Sequence, residues 1–323
     1  MGRYPDQEIP SFRMNFKIQF LLGITLLVSA CGLNTDDPEL PRTLDNIKYN
    51  EYTINDLPYE EKPYIEDYVR SKTMENFDQD SVPMYAHGNT LYYHPVYTSL
   101  FGIRFVDGYV RTGDANYLDL AERIAYKLVE ISSESNEQFL FPYNFDYAYS
   151  GKEFLGAPWY SGMAQGRFLT LFSRLYNETG DETYLEWAEK TFDSLKLLKT
   201  EDPAENWVAY IDEENFYWIE EYTVESKPVH VLNGFIFAIF GIYDYYLVTN
   251  DPKAKKLLNA SITTIEHYIE EYQNPSAVSF YDLRYKPKNP FYHGVHVNQL
   301  NLLSKITGEL YFKEMADLFE SDY

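Results

Sequence analysis

Apolar residues recur every three or four positions through eight stretches of the chain, and the stretches come in pairs. That spacing puts one apolar stripe on each segment. It predicts helices over 96–111 and 115–133, 160–178 and 182–198, 231–248 and 252–271, and 294–306 and 309–320. The break inside each pair is short and similar. YVRTGDANYLDLAERIAYKLVE turns at Gly113, LYNETGDETYLEWAEKTFDSL at Gly180, YLVTNDPKAKKLLNASITTIEHY at Asn250, and LLSKITGELYFKEMADLF at Gly308. Glycine or asparagine there supplies the left-handed geometry that ends one helix, and Asp114, Asp181 or Asp251 favours the start of the next. The turns lie 67, 70 and 58 residues apart, the scale of a repeated helix-loop-helix unit with insertions of varying length. Hairpins of this kind bury one face against each other and gather their connecting loops around one mouth, either as a closed ring or as an open solenoid.

Two insertions interrupt the repeat. Residues 134–158 contain FLFPYNFDYAYSGKEFLGAP, and residues 207–222 read WVAYIDEENFYWIEEY. The second predicts a short β-hairpin that places Tyr210, Tyr217, Glu220 and Tyr222 near a cavity rim. Residues 44–89 are less regular and are expected to pack against a helical domain spanning 90–323.

The first thirty residues follow a different pattern. Lys17 precedes an apolar run from Phe20 to Ala30 that ends at Cys31. The run is too short for an ordinary membrane-spanning helix and suits the core of a secretory signal. It resembles a bacterial lipoprotein signal, in which processing makes the cysteine, here Cys31, the lipidated first residue. Residues 31–43, with Asn34, Pro38 and Pro41, then read as a tether. The expected location is the bacterial cell envelope, on the periplasmic or cell-surface side, with membrane contact through the lipid.

Charge narrows the partners. The 323 residues carry 27 basic and 50 acidic side chains, and without residues 1–30 the balance is 24 against 48, a formal charge of −24. Such a surface gives no general affinity for nucleic acid or anionic lipid. The single Cys31 leaves no intrachain disulfide and no cysteine-rich metal site. No GxGxxG or GxxxxGK loop points to a cofactor. His293 and His296 share a helix face, but without the acidic residue of HExxH, so no metal is expected.

The chain has 32 tyrosines, about one residue in ten, and the informative ones stand in polar clusters: PWYSGMAQGR, WIEEY, VLNGF, FYDLR and FYHGVHVNQL. In this order the clusters resemble the C-terminal catalytic domain of the D-glucuronyl C5-epimerase family, over roughly residues 90–320. The resemblance implies a mainly α fold, an incomplete α/α toroid with its active site in the cavity. It implies C5 epimerisation of glucuronyl residues in a glycan, without a cofactor. Carried across by motif, the catalytic set is Glu221, Tyr222, Tyr281, Arg284 and Tyr292. Tyr160, Gln165, Arg167, Asn233, His293, His296 and Asn298 are the substrate-binding candidates. Tyr285, Pro290 and Phe291 depart from the family's pattern, and its N-terminal β-rich region is largely absent. A homodimer is compatible with the resemblance. A uronate lyase that shares the abstraction step and a non-catalytic glycan-binding protein are the alternatives.

Overall fold

A computed structural model describes residues 42–64, 76–135 and 137–323, with Arg42–Tyr323 forming one unit. The signal-like segment, Cys31 and the tether as far as Pro41 lie outside the described residues. Eight helices form four hairpins: α1 (Pro95–Thr112) with α2 (Ala115–Glu130), α3 (Gly162–Thr179) with α4 (Glu182–Ser194), α5 (Leu232–Thr249) with α6 (Pro252–Tyr268), and α7 (Pro290–Thr307) with α8 (Leu310–Asp322). Four two-stranded antiparallel ribbons fill the connections. They are β1 (Tyr85–His87) with β2 (Thr90–Tyr92), β3 (Ser133–Ser135) with β4 (Gln138–Leu140), β5 (Tyr147–Tyr149) with β6 (Glu153–Leu155), and β7 (Ala209–Ile211) with β8 (Tyr217–Ile219).

The turn chemistry explains the hairpins. Gly113, Gly180, Asn250 and Gly308 have φ of 69°, 69°, 52° and 75°, and each donates its N–H to the carbonyl four residues back. In three of the four hairpins the next residue caps the following helix. The carboxylates of Asp114, Asp181 and Asp251 accept from the N–H groups of Asn116, Thr183 and Lys253 at 2.8–3.0 Å. The clearest departure from the sequence reading is at α7, which starts at Pro290 rather than near 294. Asn289 caps it through Phe291 N–H at 2.9 Å, and Pro290 occupies a first-turn position that needs no donor. Tyr292 therefore sits in the first turn of a helix.

Helices α1, α3, α5 and α7 pack side by side in that order, with α2, α4, α6 and α8 outside them. Among the described residues α7 does not close face to face on α1, so the ring is an incomplete α/α toroid. Helix α5 is apolar and long enough to pass for a membrane span, yet most of it is buried as the central core helix. It crosses α3 at very short range. A Cβ added at Gly241 would stand 2.0 Å from the Gly166 carbonyl oxygen, and one added at Gly166 would stand 2.3 Å from the Ala238 Cα. About two turns beyond Gly166 on α3, Arg174 bonds Asp244 of α5 at 3.0 Å and the Pro63 carbonyl at 2.6 Å.

Residues 50–64 form a strap that runs from the later turns of α6, past the C-terminal end of α7, to α5. Asn50 N–H bonds Thr263 of α6, Asn55 N–H bonds the Ile306 carbonyl of α7, and Leu57 N–H bonds the Tyr243 hydroxyl of α5. At its end Tyr64 donates to the Phe237 carbonyl at 2.6 Å and packs on Phe237 and Phe240.

The α3–α5 crossing gives a direct test. Gly241→Ala presses a methyl group onto backbone that has no room to move, and unfolding in urea should show a loss of at least about 1–3 kcal/mol, the range for overpacking a tight core. An unchanged midpoint would mean that the two helices do not approach this closely.

Candidate active site

Each hairpin returns the chain to the same end, so α1, α3, α5 and α7 all start there, beside the insertions. Their N-termini are stitched to the loops by backbone bonds. Gly162 N–H donates to the Glu220 carbonyl at 2.8 Å, and Leu232 N–H donates to the Tyr281 carbonyl at 3.1 Å. Four helix N-termini, each carrying about half a positive charge, thus face one cleft in a strongly acidic protein.

Strand β8 delivers two adjacent glutamates to this cleft, and extended backbone sends them to opposite sides. Glu220 points inward and is fully buried. Its carboxylate lies 2.7 Å from His230 Nδ1 and accepts the His230 N–H at 3.1 Å, so it holds the loop that starts α5. Glu221 points into the cleft. Gly234, in the first turn of α5, makes room for it: a Cβ there would stand 2.3 Å from Glu221 Oε2 and 2.7 Å from its Cβ. The N-G of VLNGF is therefore a seat for this carboxylate.

The other side chains close over Glu221. The Tyr281 hydroxyl donates to it at 3.3–3.4 Å, and the Tyr281 and Tyr292 rings are 4.6 Å apart. Tyr222, the next residue, packs against Tyr147 and Tyr149 beside it. Dense protein packing pushes the Glu221 carboxyl up to about 7, against the opposing pull of Tyr222, Tyr281 and the Arg167 charge. Glu221 itself remains only half-buried. Burial drives the Tyr222 and Tyr281 phenols well above their ordinary value, so both stay protonated.

Glu221, Tyr222, Tyr281 and Tyr292 converge, and Arg167 acts on Glu221 through its charge. Arg284 lies farther out and is already engaged. Its guanidinium is 3.0 Å from Glu153, donates to the Ser226 hydroxyl at 2.8 Å, and donates to the Lys227 carbonyl. Between these lies Asp282, buried, accepting from Tyr149 and from Tyr285 N–H.

Several sequence-derived candidates serve the scaffold instead. Gln165 is fully buried and ties β4 to α3 and α4: its amide donates to the Phe139 carbonyl and Ser194 hydroxyl at 2.6 Å and accepts from Phe141 N–H. His293 and His296 share Ser279, which donates its N–H to His293 Nδ1 at 2.9 Å and whose hydroxyl is 2.8 Å from His296 Nδ1. The His293 ring rests on Phe319 and Tyr323 of the last hairpin. Burial lowers the pKa of both, that of His296 to about 3. Asn298 is exposed on α7, and Asn233 is buried, its carbonyl accepting from Gln299. Tyr160 is a core ring whose carbonyl accepts from Thr223. Of the four residues expected at the rim from 207–222, Tyr217 and Glu220 are fully buried, because β8 packs both its faces. Tyr217 donates its hydroxyl to the Leu195 carbonyl.

Sequence reasoning missed an aromatic wall. Tyr143 stacks on Trp159 at 3.9 Å, Trp159 on Tyr147, Tyr147 on Tyr222 at 5.5 Å, and Tyr149 lies 4.4 Å from Tyr222. His94, the N-cap of α1, lies 4.8 Å from Tyr143. The alternating aromatics of FPYNFDYAY were the available signal.

Glu221, the tyrosines around it and the aromatic wall, though not His94 or the start of α1, sit within residues matched by one family model. D-glucuronyl C5-epimerase C-terminus covers residues 134–321. The chain belongs to that family. Among curated proteins, this epimerase-family chain is 26% identical over 181 residues to the D-glucuronyl C5-epimerase of Caenorhabditis elegans, covering 49% of this chain and 28% of that protein. It is 28% identical over 189 residues to an uncharacterized protein of Methanocaldococcus jannaschii, covering 57% of this chain and 58% of that one. The chain thus spans well under two thirds of either relative. Among solved structures it shares its fold with the cellobiose 2-epimerase of Bacillus thermoamylovorans B4167 (TM-score 0.54, 15% identity, 78% of this chain and 67% of that). It shares it also with a D-mannose isomerase (TM-score 0.54, 13% identity, 83% and 71%).

The raised carboxyl has a stability signature. A Glu221 pKa near 7 in the fold, against 4.5 unfolded, means the native state binds the extra proton between those values. Its contribution is complete below pH 4.5 and is lost as pH rises through 7. Glu221→Gln should therefore be more stable than wild type by about 1–3 kcal/mol at pH 8, with the advantage gone at pH 4, as read from denaturant midpoints. A variant less stable at pH 8 would contradict the buried-carboxylate account.

Proposed function

We propose that the protein is a carbohydrate epimerase that inverts C5 of D-glucuronyl residues in a glycan. The observation that carries this reading is the placement of one carboxylate, Glu221, among the phenols of Tyr222 and Tyr281 and the ring of Tyr292, in a cleft faced by four helix N-termini. Family membership supports the same chemistry.

A C5 proton beside a carboxylate is weakly acidic, because its removal adds charge to a group already charged. Glu221 removes it as a base whose strength is matched to neutral pH. The C5–H bond breaks, the proton passes to Glu221, and the electron pair spreads onto the carboxylate as an enediolate. Hydrogen bonds from the protonated phenols of Tyr222 and Tyr281 offset that charge as it forms. Tyr292 returns a proton from the opposite face, making the inverted C5–H bond, and the two groups exchange roles in the reverse direction. Tyr147 and Tyr222, half-buried and backed by the buried Trp159–Tyr143 stack, give sugar rings apolar faces to rest on. At the outer edge Lys152 lies over Tyr285, and Lys286 and Lys288 over Phe280, a cationic border for an anionic polymer.

Incubation of uronate polysaccharides in heavy water decides the reaction. Deuterium at C5 with the chain intact is expected. Chain cleavage with an unsaturated uronate would instead mean elimination. Glu221→Gln and Tyr292→Phe, made separately, should each cut C5 exchange by about 100-fold or more, the range for losing a general acid or base, while glycan binding persists. Exchange unchanged in both variants would refute the roles given to them.

Separately, from the signal-like run that ends at Cys31, we propose that the protein is anchored to an envelope membrane by a lipid on that cysteine. Radiolabelled palmitate fed to the producing bacterium should appear in the wild-type protein and not in Cys31→Ser. Equal labelling of the two would rule out that anchor.

A further inference from the structure

We propose that Arg167 is an anion receptor in the floor of the cleft, built to take the carboxylate of a uronic acid. This rests on the uronate reading of the site and deepens it. Arg167 projects from α3, 94% buried by its relative exposure of 6%. Its Nη1 donates to the Val96 carbonyl at 3.3 Å, and its guanidinium lies over Phe237 at 4.7 Å and Tyr64 at 5.4 Å. The Nε is buried with no acceptor, and among the described residues no carboxylate bonds this guanidinium.

The contrast with its neighbours is informative. Seven residues along the same helix, Arg174 is neutralised by Asp244 and bonded to the Pro63 carbonyl. At the edge, Arg284 is held by Glu153. The fold thus supplies a counter-charge to each of these arginines and withholds one from Arg167. A buried guanidinium without an anion is costly, and a carboxylate that reaches it relieves that cost with charge-assisted bonds. Arg167 acts electrostatically on Glu221, on Tyr143 and on His94, and burial first, then the Arg167 charge, hold the His94 pKa down to about 3, leaving Arg167 the local cation.

In a uronic acid the carboxylate is bonded to C5 itself, so a cation on the floor and a base at Glu221 address adjoining atoms. Charge builds on the carboxylate oxygens as the C5 proton leaves, so a cation held there favours the transition state over bound substrate.

Glucuronate and glucose, which differ in the group that C5 carries, a carboxylate against a hydroxymethyl, are titrated against the purified protein and followed by thermal shift. Wild type should prefer glucuronate by about tenfold or more, and Arg167→Gln should lose that preference while Lys305→Gln, on the exposed end of α7, retains it. Arg167→Lys, which keeps the charge, should preserve a preference for glucuronate at reduced affinity, and it carries the test should the glutamine variant not fold. A purely structural role would shift the melting temperatures and leave the preference intact. Persistence of the preference in Arg167→Gln, or its absence in wild type, would overturn the proposal. Preference for glucuronate without any C5 exchange would sink the epimerase reading and leave the anion receptor standing.

Discussion

The direction of the inner helices governs this structure. A chain that goes out along one helix and back along the next must start every inner helix at the same end, and the left-handed turns at Gly113, Gly180, Asn250 and Gly308 enforce that return four times. The insertions between hairpins are then obliged to meet at the N-terminal mouth. This concentrates partial positive charge where the loops deliver tyrosines and a carboxylate. It also means that the field at the mouth is local and need not follow the acidic net charge, which is screened within about 10 Å at ordinary salt.

Within that mouth, the roles of two neighbouring glutamates are set by strand geometry rather than by chemistry. Glu220 and Glu221 are the same residue type one position apart, yet one is clamped to His230 and the other is seated against Gly234 between phenols. A shift of one residue in β8 would exchange them. Glu220 is pinned on both sides, accepting from Gly162 N–H and donating to the Val208 carbonyl, and these bonds therefore fix which glutamate meets the phenols as much as the shape of the ribbon.

The hairpins were legible because their signals are local: periodicity, a left-handed residue, an aspartate after it. Helix α7 starts four residues before the expected 294, because Asn289 and Pro290 form a sound cap that apolar periodicity alone does not register. Site residues split along a physical line. Glu221 and its tyrosines were reached through ordered motifs, whereas Gln165, His293 and His296 look polar and available in the sequence and are consumed by long-range bonds to Phe139, Ser194 and Ser279. No local pattern distinguishes a buried amide that staples a strand from one that meets a ligand. The wall built from Tyr143, Tyr147 and Trp159 escaped for the opposite reason: it forms only when the β5–β6 ribbon folds over the mouth.

The strap carries a consequence for biogenesis. Its residues leave the ribosome among the first of the domain, but their partners at Thr263 and Ile306 lie more than two hundred positions downstream. Local hairpins can form during synthesis, whereas contacts this distant in sequence wait for the chain to be made. Tyr64, which packs on Phe237 and lies against Arg167, belongs to the same segment. A nascent chain therefore carries its inner helices without a finished base beneath the cleft, and competence to bind sugar arrives late and all at once, when the earliest-made segment is finally captured by the last.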